Sequence, residues 1–354
     1  MTFAAELTPP AISTPEEVTA EWLSRALGTT IRSVRTEPVG TGQIGCCVRA
    51  HVDGDGLPST LFIKLPNPDP GMRPLLHGVY RSEVLFYREL EPTLKVRAPR
   101  CLFARLGDQK GEFTLVLEDA APLVQGDQLA GLPVETARDC AVNLAGLHGP
   151  RWCDPTVLEI DGLARPTVED NDTLQELGGP LLEAFLDELG DRLTAEERDT
   201  LSEIATLIGR WANGRSERFS LLHADFRADN MLVDPSGRLP SLACDWQTLV
   251  TGLPGRDLGG FLGASLATDD RREAEQSIVA DYHRALVGHG VRDYSLEQCW
   301  DDYVYGLLQT PVIGIFGWAY GTRSPRGDDM FAHLIRRSLR AIADHDALSV
   351  VRAG

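Results

Sequence analysis

Asp225, Asn230 and Asp245 stand out by type and spacing. The run His223-Ala224-Asp225-Phe226-Arg227-Ala228-Asp229-Asn230 sets a carboxylate five residues before an amide, and Cys244-Asp245-Trp246 adds a second carboxylate fifteen residues beyond Asn230. Phosphoryl transfer to a hydroxyl needs a carboxylate that accepts the hydroxyl proton and orients its oxygen. It also needs oxygen ligands that hold Mg²⁺ against a triphosphate. Two β-like runs, Asn230-Met231-Leu232-Val233 and Ser241-Leu242-Ala243-Cys244, flank the turn Asp234-Pro235-Ser236-Gly237. That hairpin is expected to return Asp245 beside the loop that carries Asp225 and Asn230. A polar loop or a turn aspartate would explain either piece alone; the two together, in this order, point to a site.

Upstream, Gly40-x-Gly42-x-x-Gly45 precedes the strand-like Cys46-Cys47-Val48-Arg49-Ala50-His51-Val52. A dinucleotide-binding glycine pattern would open a helix. A following strand suits a hairpin folded over phosphates, where missing Cβ atoms let backbone N–H groups approach; a plain glycine-rich turn is the alternative. Lys64 lies in the apolar strand Leu61-Phe62-Ile63-Lys64-Leu65. An unpaired ammonium there is costly, so it needs a carboxylate unless it snorkels to water from an edge strand. Glu83 is the candidate, because Glu83, Phe86, Tyr87 and Leu90 recur at i, i+3, i+4 and i+7 of one helical face.

The elements that must position these residues read as two lobes. A helix is expected over 14–28, capped by Thr14 and Glu17 and stopped at Gly28. A β-rich stretch follows over 31–64, then a helix over 79–90 and a strand over 111–117. The boundary falls after Glu118, giving a small β-rich lobe over 1–118 and a larger, mostly helical lobe over 119–354. In the second, Ala137, Cys140, Ala141, Leu144 and Leu147 form one helical stripe, and Leu201, Ile204, Leu207, Ile208 and Trp211 another. His148 reads as a packed, hydrogen-bonded histidine and Asp328-Asp329 as a solvated loop.

The net charge of −18 argues against a nucleic-acid partner, which needs clustered Lys and Arg. Seven cysteines without a C-x-x-C pair fit free thiols in a reducing cytosol better than disulfides or zinc. The first residues, Met1-Thr2-Phe3-Ala4-Ala5-Glu6, show no secretory pattern, and no apolar run is long enough to span a bilayer. A cytoplasmic monomer or homodimer without membrane attachment is expected.

Glycine hairpin, strand Lys64, helix Glu83, His223–Asn230 loop and Asp245 occur in protein-kinase order. Yet Trp246-Gln247, not Phe-Gly, follows Asp245, and eleven residues separate Asp245 from Asp257 with no Ala-Pro-Glu beyond, which leaves no room for an activation segment. The pattern resembles the aminoglycoside phosphotransferase and choline kinase superfamily, and within it the ecdysteroid-kinase-like branch and related bacterial phosphotransferases. Glu83-Val84-Leu85-Phe86-Tyr87, Leu115-Val116-Leu117-Glu118-Asp119, Leu147-His148, Asp245-Trp246-Gln247 and Gly255-Arg256-Asp257-Leu258 carry that likeness, which covers about Val39 to Phe261.

The resemblance implies an α+β, bilobal, protein-kinase-like fold and an ATP- or GTP-dependent, Mg²⁺-requiring kinase acting on a small-molecule hydroxyl. It implies that Asp225 is the catalytic base or positions the hydroxyl, and that Asn230 and Asp245 bind Mg²⁺. Gly40, Gly42, Gly45, Lys64 and Glu83 would serve the nucleotide phosphates, and the backbone around Glu118, from Leu117 to Ala120, the adenine edge. His223 and Asp257 would hold the loop in shape. Many relatives have Gly where this chain has Ala224. Arg227 stands where protein kinases carry a phosphate-contacting Lys, and both a γ-phosphate contact and a structural or exposed role are open for it.

The acceptor would sit among the late helices, near Tyr303, Tyr305, Leu307, Leu308 and the run 312–320. Those residues read equally as core. As a pocket they would suit an apolar alcohol, or an aromatic cage for choline from Trp318, Tyr320 and Tyr303; an aminoglycoside would need convergent carboxylates that no late acidic cluster specifies. A nucleotide-binding pseudokinase and a dinucleotide-dependent oxidoreductase are the competing readings.

Overall fold

The computed structural model describes residues 9–40, 44–321 and 323–353. Among them the chain forms two units. The first comprises Met1–Thr93, Ala98–Pro122 and Asp245–Thr248; the second comprises Leu94–Arg97, Leu123–Cys244 and Leu249–Gly354.

The first unit begins with α1 (Ala20–Leu27). Thr14 and Glu17 do form a capping box, but it closes only the 3-10 turn Pro15–Glu17. The helix itself starts later, where Thr19 Oγ1 accepts from Trp22 N, and it stops at Gly28 in the left-handed conformation (φ 65°). The expected single helix over 14–28 is therefore broken, because the Thr19 cap outcompetes the earlier one.

Five antiparallel strands follow: β1 (Ile31–Pro38), β2 (Cys46–Gly54), β3 (Thr60–Leu65), β4 (Cys101–Leu106) and β5 (Phe113–Glu118), in the order β1-β2-β3-β5-β4. β4 is absent from the sequence expectation; Cys101 and Arg105 in Cys101-Leu102-Phe103-Ala104-Arg105-Leu106 blur its alternation. On β3, Leu61, Ile63 and Leu65 are fully buried and join Trp22, Leu23 and Val48 in one core, so the two-residue period turns Lys64 to the opposite face. Between β3 and β4, α2 (His77–Leu85) runs on through a π-type turn, Phe86–Leu90. Glu83, Phe86, Tyr87 and Leu90 are all buried.

The second unit is mostly helical. β6 (Val124–Gln125) leads to α3 (Val134–His148), α4 (Val168–Leu189) and α5 (Ala195–Asn213), the last two opened by capping boxes at Thr167 and Thr194. Then come β7 (Ser220–Leu222), β8 (Met231–Val233), β9 (Leu242–Ala243) and β10 (Val250–Gly252). β8 pairs with both β6 and β9, and β10 with β7. The segment 94–97 belongs here: Arg97 O accepts from Ala243 N, and the Arg97 guanidinium reaches Asp139 and Ser241 O.

The chain ends with α6 (Gly255–Ser265), α7 (Thr268–Gly288), α8 (Leu296–Gly306), α9 (Gln309–Tyr320), α10 (Pro325–Asp344) and α11 (Ala347–Ala353). α6 and α8 cross closely at glycines: a Cβ on Gly306 would fall 1.8 Å from Gly255 O. Asp328, in the first turn of α10, and Asp329, which follows it in the helix, do not lie in a loop; Asp328 pairs with Arg323 and Asp329 with Arg192. No helix among the described residues is long and apolar enough to cross a membrane.

Candidate active site

In the first unit, Lys64 Nζ stands 2.6 Å from Glu83 Oε1 and 3.0 Å from Asp245 Oδ1. Glu83 is 1% exposed on α2, and Gln247 Nε2 approaches its other oxygen at 3.4 Å. Burial by itself would strip the Lys64 proton, but the Asp245 and Glu83 carboxylates outweigh it and hold the ammonium well above its ordinary range. Burial pushes the Glu83 carboxyl upward, opposed by Lys64 and reinforced by the Asp245 charge.

Trp246 braces this segment. Its ring stacks on Phe86 with centroids 3.6 Å apart and planes 6° from parallel. Asp245 itself adopts φ 70°, a left-handed conformation that is strained for a residue with a side chain.

Gly45 sits against β3, where a Cβ would lie 2.6 Å from Leu65 O. The neighbouring Ile44 O accepts from Tyr80 OH. Gly40 is left-handed (φ 69°) with open space around it, and Gly42 lies outside the described residues. Strand β2 follows directly after Gly45, which removes the helix that a dinucleotide-binding reading requires. Glu118 ends β5; its N–H donates to Arg100 O and its carboxylate pairs with Arg100, so neither group of Glu118 is free.

In the second unit, the loop from His223 to Asn230 leaves β7 and enters β8 through a 3-10 turn at Ala228–Asn230. Asn230 Nδ2 donates to both Asp225 O and Asp225 Oδ2, each at 2.8 Å. With its amide protons so used, Asn230 turns its Oδ1 to acceptor duty. Cys244 N in turn donates to Asn230 O at 2.9 Å, and Asp245 is the next residue in the chain. A carboxamide oxygen and a carboxylate are hard donors of the type Mg²⁺ selects. No group of three or more His, Cys, Asp or Glu side chains that could hold a metal ion occurs among the described residues.

Asp257, in the first turn of α6, shapes the loop. Its buried carboxylate accepts from His223 N at 2.7 Å and from Ala224 N at 2.9 Å. These bonds hold Ala224 at φ 63°, the residue immediately before Asp225. His148 Nε2 reaches Asp257 Oδ2 at 3.3 Å, and Nδ1 meets Tyr282 OH at 2.7 Å. With Nε2–H donating to the carboxylate, Nδ1 is left to accept from the tyrosine. His148 is thus a packed, hydrogen-bonded side chain. His223 Nε2 lies 3.0 Å from Cys244 O, linking the loop to the residue before Asp245.

The Arg227 guanidinium binds carboxylates of its own loop. Its Nε bonds both Asp225 oxygens at 3.0 and 3.1 Å, and Nη1 bonds Asp229 Oδ2 at 2.8 Å. Burial would lower its pKa, but Asp225 and Asp229 raise it further. Sequence reasoning missed the other half of this brace. Asp229 Oδ1 accepts from Gln128 N, and Ala228 N donates to Gln128 Oε1 and to Ser265 Oγ. Asp229 carried a local signal, a second acidic residue within the loop; Gln128 and Ser265 carried none.

The expected acceptor residues divide. Tyr303, Tyr305, Leu307, Leu308 and Trp318 are buried core. Tyr303 OH donates to Glu275, and the Arg323 guanidinium covers the Trp318 ring at 4.3 Å. An aromatic cage from Trp318, Tyr320 and Tyr303 does not assemble, because Tyr320 is 70% exposed while the other two are enclosed.

The sequence pattern of the APH phosphotransferase enzyme family matches residues 49–294. No curated protein sequence matches the chain significantly. Among solved structures, a putative aminoglycoside phosphotransferase from Ralstonia eutropha JMP134 is similar at TM-score 0.54 and 14% identity, over 94% of this chain and 97% of that one. Choline kinase from Cryptosporidium parvum Iowa II is similar at TM-score 0.55 and 9% identity, over 89% and 91%. At these identities the likeness shows the fold, α+β and kinase-like, with a small antiparallel sheet and a mostly helical remainder.

Proposed function

The chain belongs to the APH phosphotransferase enzyme family, and on that premise we propose that it is a small-molecule kinase moving the γ-phosphate of ATP or GTP onto the hydroxyl of a small alcohol. The observation that carries this reading is Lys64 held between Glu83 at 2.6 Å and Asp245 at 3.0 Å. A pseudokinase would be expected to lack one member of such a set, and here Asp225 and Asn230 are present as well.

In this reading Lys64, braced by Glu83, grips the α- and β-phosphates, and Gly40, Gly42 and Gly45 let backbone approach them. The backbone from Leu117 to Ala120 takes the adenine edge. Asn230 and Asp245 would hold Mg²⁺, which when bound offsets phosphate charge. Asp225 orients the acceptor hydroxyl. The hydroxyl oxygen bonds to the γ-phosphorus, the bond from that phosphorus to the bridging oxygen of the diphosphate breaks, and the hydroxyl proton passes to the Asp225 carboxylate. Arg227 and Asn230 fix the orientation of that carboxylate, and Asp257 fixes the backbone that carries it. The runs Glu83–Tyr87 and Asp245–Gln247 support the ecdysteroid-kinase-like branch, and seven free cysteines support a reducing, cytoplasmic setting.

The test is Asp225→Asn. Transfer should fall by about 10³-fold or more while triphosphate binding persists, since the carboxylate acts on the acceptor and not on the nucleotide. Unchanged turnover in that variant would defeat the assignment.

A further inference from the structure

The segment from Gln125 to Gly131, between β6 and α3, is laid against the loop that carries Asp225. Gln125 Nε2 donates to Asp229 O at 2.8 Å, and Gly126 N to Met231 O at 2.8 Å. A Cβ on Gly126 would fall 2.3 Å from Ala228 O, so the two backbones meet directly. With the Gln128 bonds to Asp229 and Ala228, segment and loop form one clasp. Its far side is held by a residue of α10. Arg337 Nη1 donates to Gln128 O at 3.0 Å and to Ala264 O at 3.3 Å, and Nη2 donates to Leu129 O at 3.0 Å and to Ala130 O at 3.3 Å. Gly131, at φ 82°, leaves room for this approach: a Cβ there would crowd Nη1 at 3.1 Å.

Each of these acceptors is a backbone carbonyl. Burial lowers the Arg337 pKa and Arg340 lowers it further, against an opposing pull from Asp127. A half-buried guanidinium that faces carbonyls instead of a carboxylate gains little net stability. What its planar fork supplies is geometry, because it fixes the carbonyls of Gln128, Leu129 and Ala130 relative to one another and to the end of α6. α10 meets the loop again about two turns earlier, where Met330 Sδ lies 3.2 Å from Arg227 Nη1.

We propose that Arg337 is a positioning residue for the Asp225 carboxylate. The line of contacts runs from Arg337 to Gln128 O, from Gln128 N to Asp229 Oδ1 at 2.9 Å, and from Asp229 Oδ2 to Arg227 Nη1 at 2.8 Å. It ends where Arg227 Nε bonds both Asp225 oxygens at 3.0 and 3.1 Å. Every member belongs to the second unit. Arg337 lies beyond residues 49–294, the span that the family pattern matches. The inference rests on the kinase reading of Asp225 and adds the device that aims its carboxylate. With the clamp released, Asp229 and Arg227 lose their fixed places and Asp225 turns away from the acceptor hydroxyl.

The experiment has two arms, both on the full chain. In the first, NMR follows the Asn230 side-chain amide, which donates to Asp225 Oδ2 and so reports the carboxylate, together with exchange of the Gln128 and Ala228 amides. Arg337→Met should shift the Asn230 signal and speed exchange at both amides. Arg337→Lys, which keeps the charge but not the planar fork, should show the same changes at smaller amplitude, and it carries the test if the methionine variant does not fold. An unmoved Asn230 signal overturns the proposal.

In the second arm, hydrolysis of ATP and of GTP with Mg²⁺ is measured, water serving as the acceptor. Arg337→Met should lower kcat about tenfold or more and leave nucleotide KM within about twofold, since the contacts end on Asp225 and not on the phosphates. Asp229→Ala cuts the same line at its next link, so adding Arg337→Met to it should cost less than about twofold more. Wild-type kcat in Arg337→Met, or losses in the two variants that simply multiply, overturns the proposal. Hydrolysis that Asp225→Asn leaves untouched defeats the kinase reading instead, and the NMR arm then decides by itself whether Arg337 places the Asp225 carboxylate.

Discussion

Replacing Asp257 with Asn tests whether one buried carboxylate organises the loop that carries Asp225. The Asp257 side chain is fully enclosed and accepts from His223 N at 2.7 Å, from Ala224 N at 2.9 Å and from His148 at 3.3 Å. Asn keeps one acceptor oxygen and turns an NH₂ toward the second backbone donor. That leaves one buried N–H unsatisfied and removes the charge from the bond that remains. Hydrogen bonds to a charged group contribute about 1.5–3 kcal/mol each, and an orphaned buried donor costs about 1–3 kcal/mol. The combined loss is about 2–4 kcal/mol after relaxation. At about 1.3 °C per kcal/mol for a chain of 354 residues, Tm should fall by roughly 3–5 °C. Ala224, held at φ 63°, would relax toward negative φ and carry Asp225 out of place. A displacement of that kind costs about 10²-fold in kcat with little change in nucleotide KM. Scanning calorimetry, amide exchange at His223 and Ala224, and steady-state kinetics read the three effects. A variant with unaltered Tm and unaltered exchange at those two amides would refute the reasoning.

Lys64→Met strips the cation from between Glu83 and Asp245 and should destabilise the protein by about 3–5 kcal/mol in urea denaturation. The double variant Lys64→Met/Glu83→Leu should recover much of that loss, because no buried charge then stands uncompensated. Glu275 offers a pH test. Burial would raise its pKa, but hydrogen bonds from His345 and Tyr303 and the Arg271 charge hold the carboxyl below its ordinary 4.5. A depressed carboxyl contributes stability that is full at neutral pH and lost as pH falls through the folded value. The stability gap between wild type and Glu275→Gln should therefore be widest near neutrality and close as pH falls through the folded carboxyl's depressed pKa; a gap constant down to acid pH would contradict this.

The parts of the site that could be read from sequence are those whose partners lie close by, or whose burial forces a partner. Asn230 and Asp225 share a tight connection, so their contact follows from spacing. Lys64 in an apolar strand demands a carboxylate, and helical periodicity singles out Glu83 over Glu89. What escaped reading depends on distant chain segments. Gln128 and Ser265 satisfy Ala228 N from 100 and 37 residues away, and nothing in their neighbourhoods marks them. Arg227 showed its charge but not its target, because choosing between solvent, phosphate and Asp225 needs the loop in three dimensions. The start of α1 was misplaced because Thr14 and Thr19 are both competent caps. The aromatic run on α9 was ambiguous for a related reason: core and exposed residues alternate around one helix, and only the Gln309 bond to Ala224 O tells which face meets the loop.

A crystal structure of the protein with Mg²⁺ and a non-hydrolysable ATP analogue tests the central claim most directly. The account predicts a divalent ion with Asn230 Oδ1 and an Asp245 carboxylate oxygen at about 2.0–2.1 Å, phosphate oxygens on Lys64, and Asp225 facing the γ-phosphate across the space for an alcohol. An ion held away from Asn230 and Asp245, or a triphosphate that leaves Lys64 untouched, would contradict it.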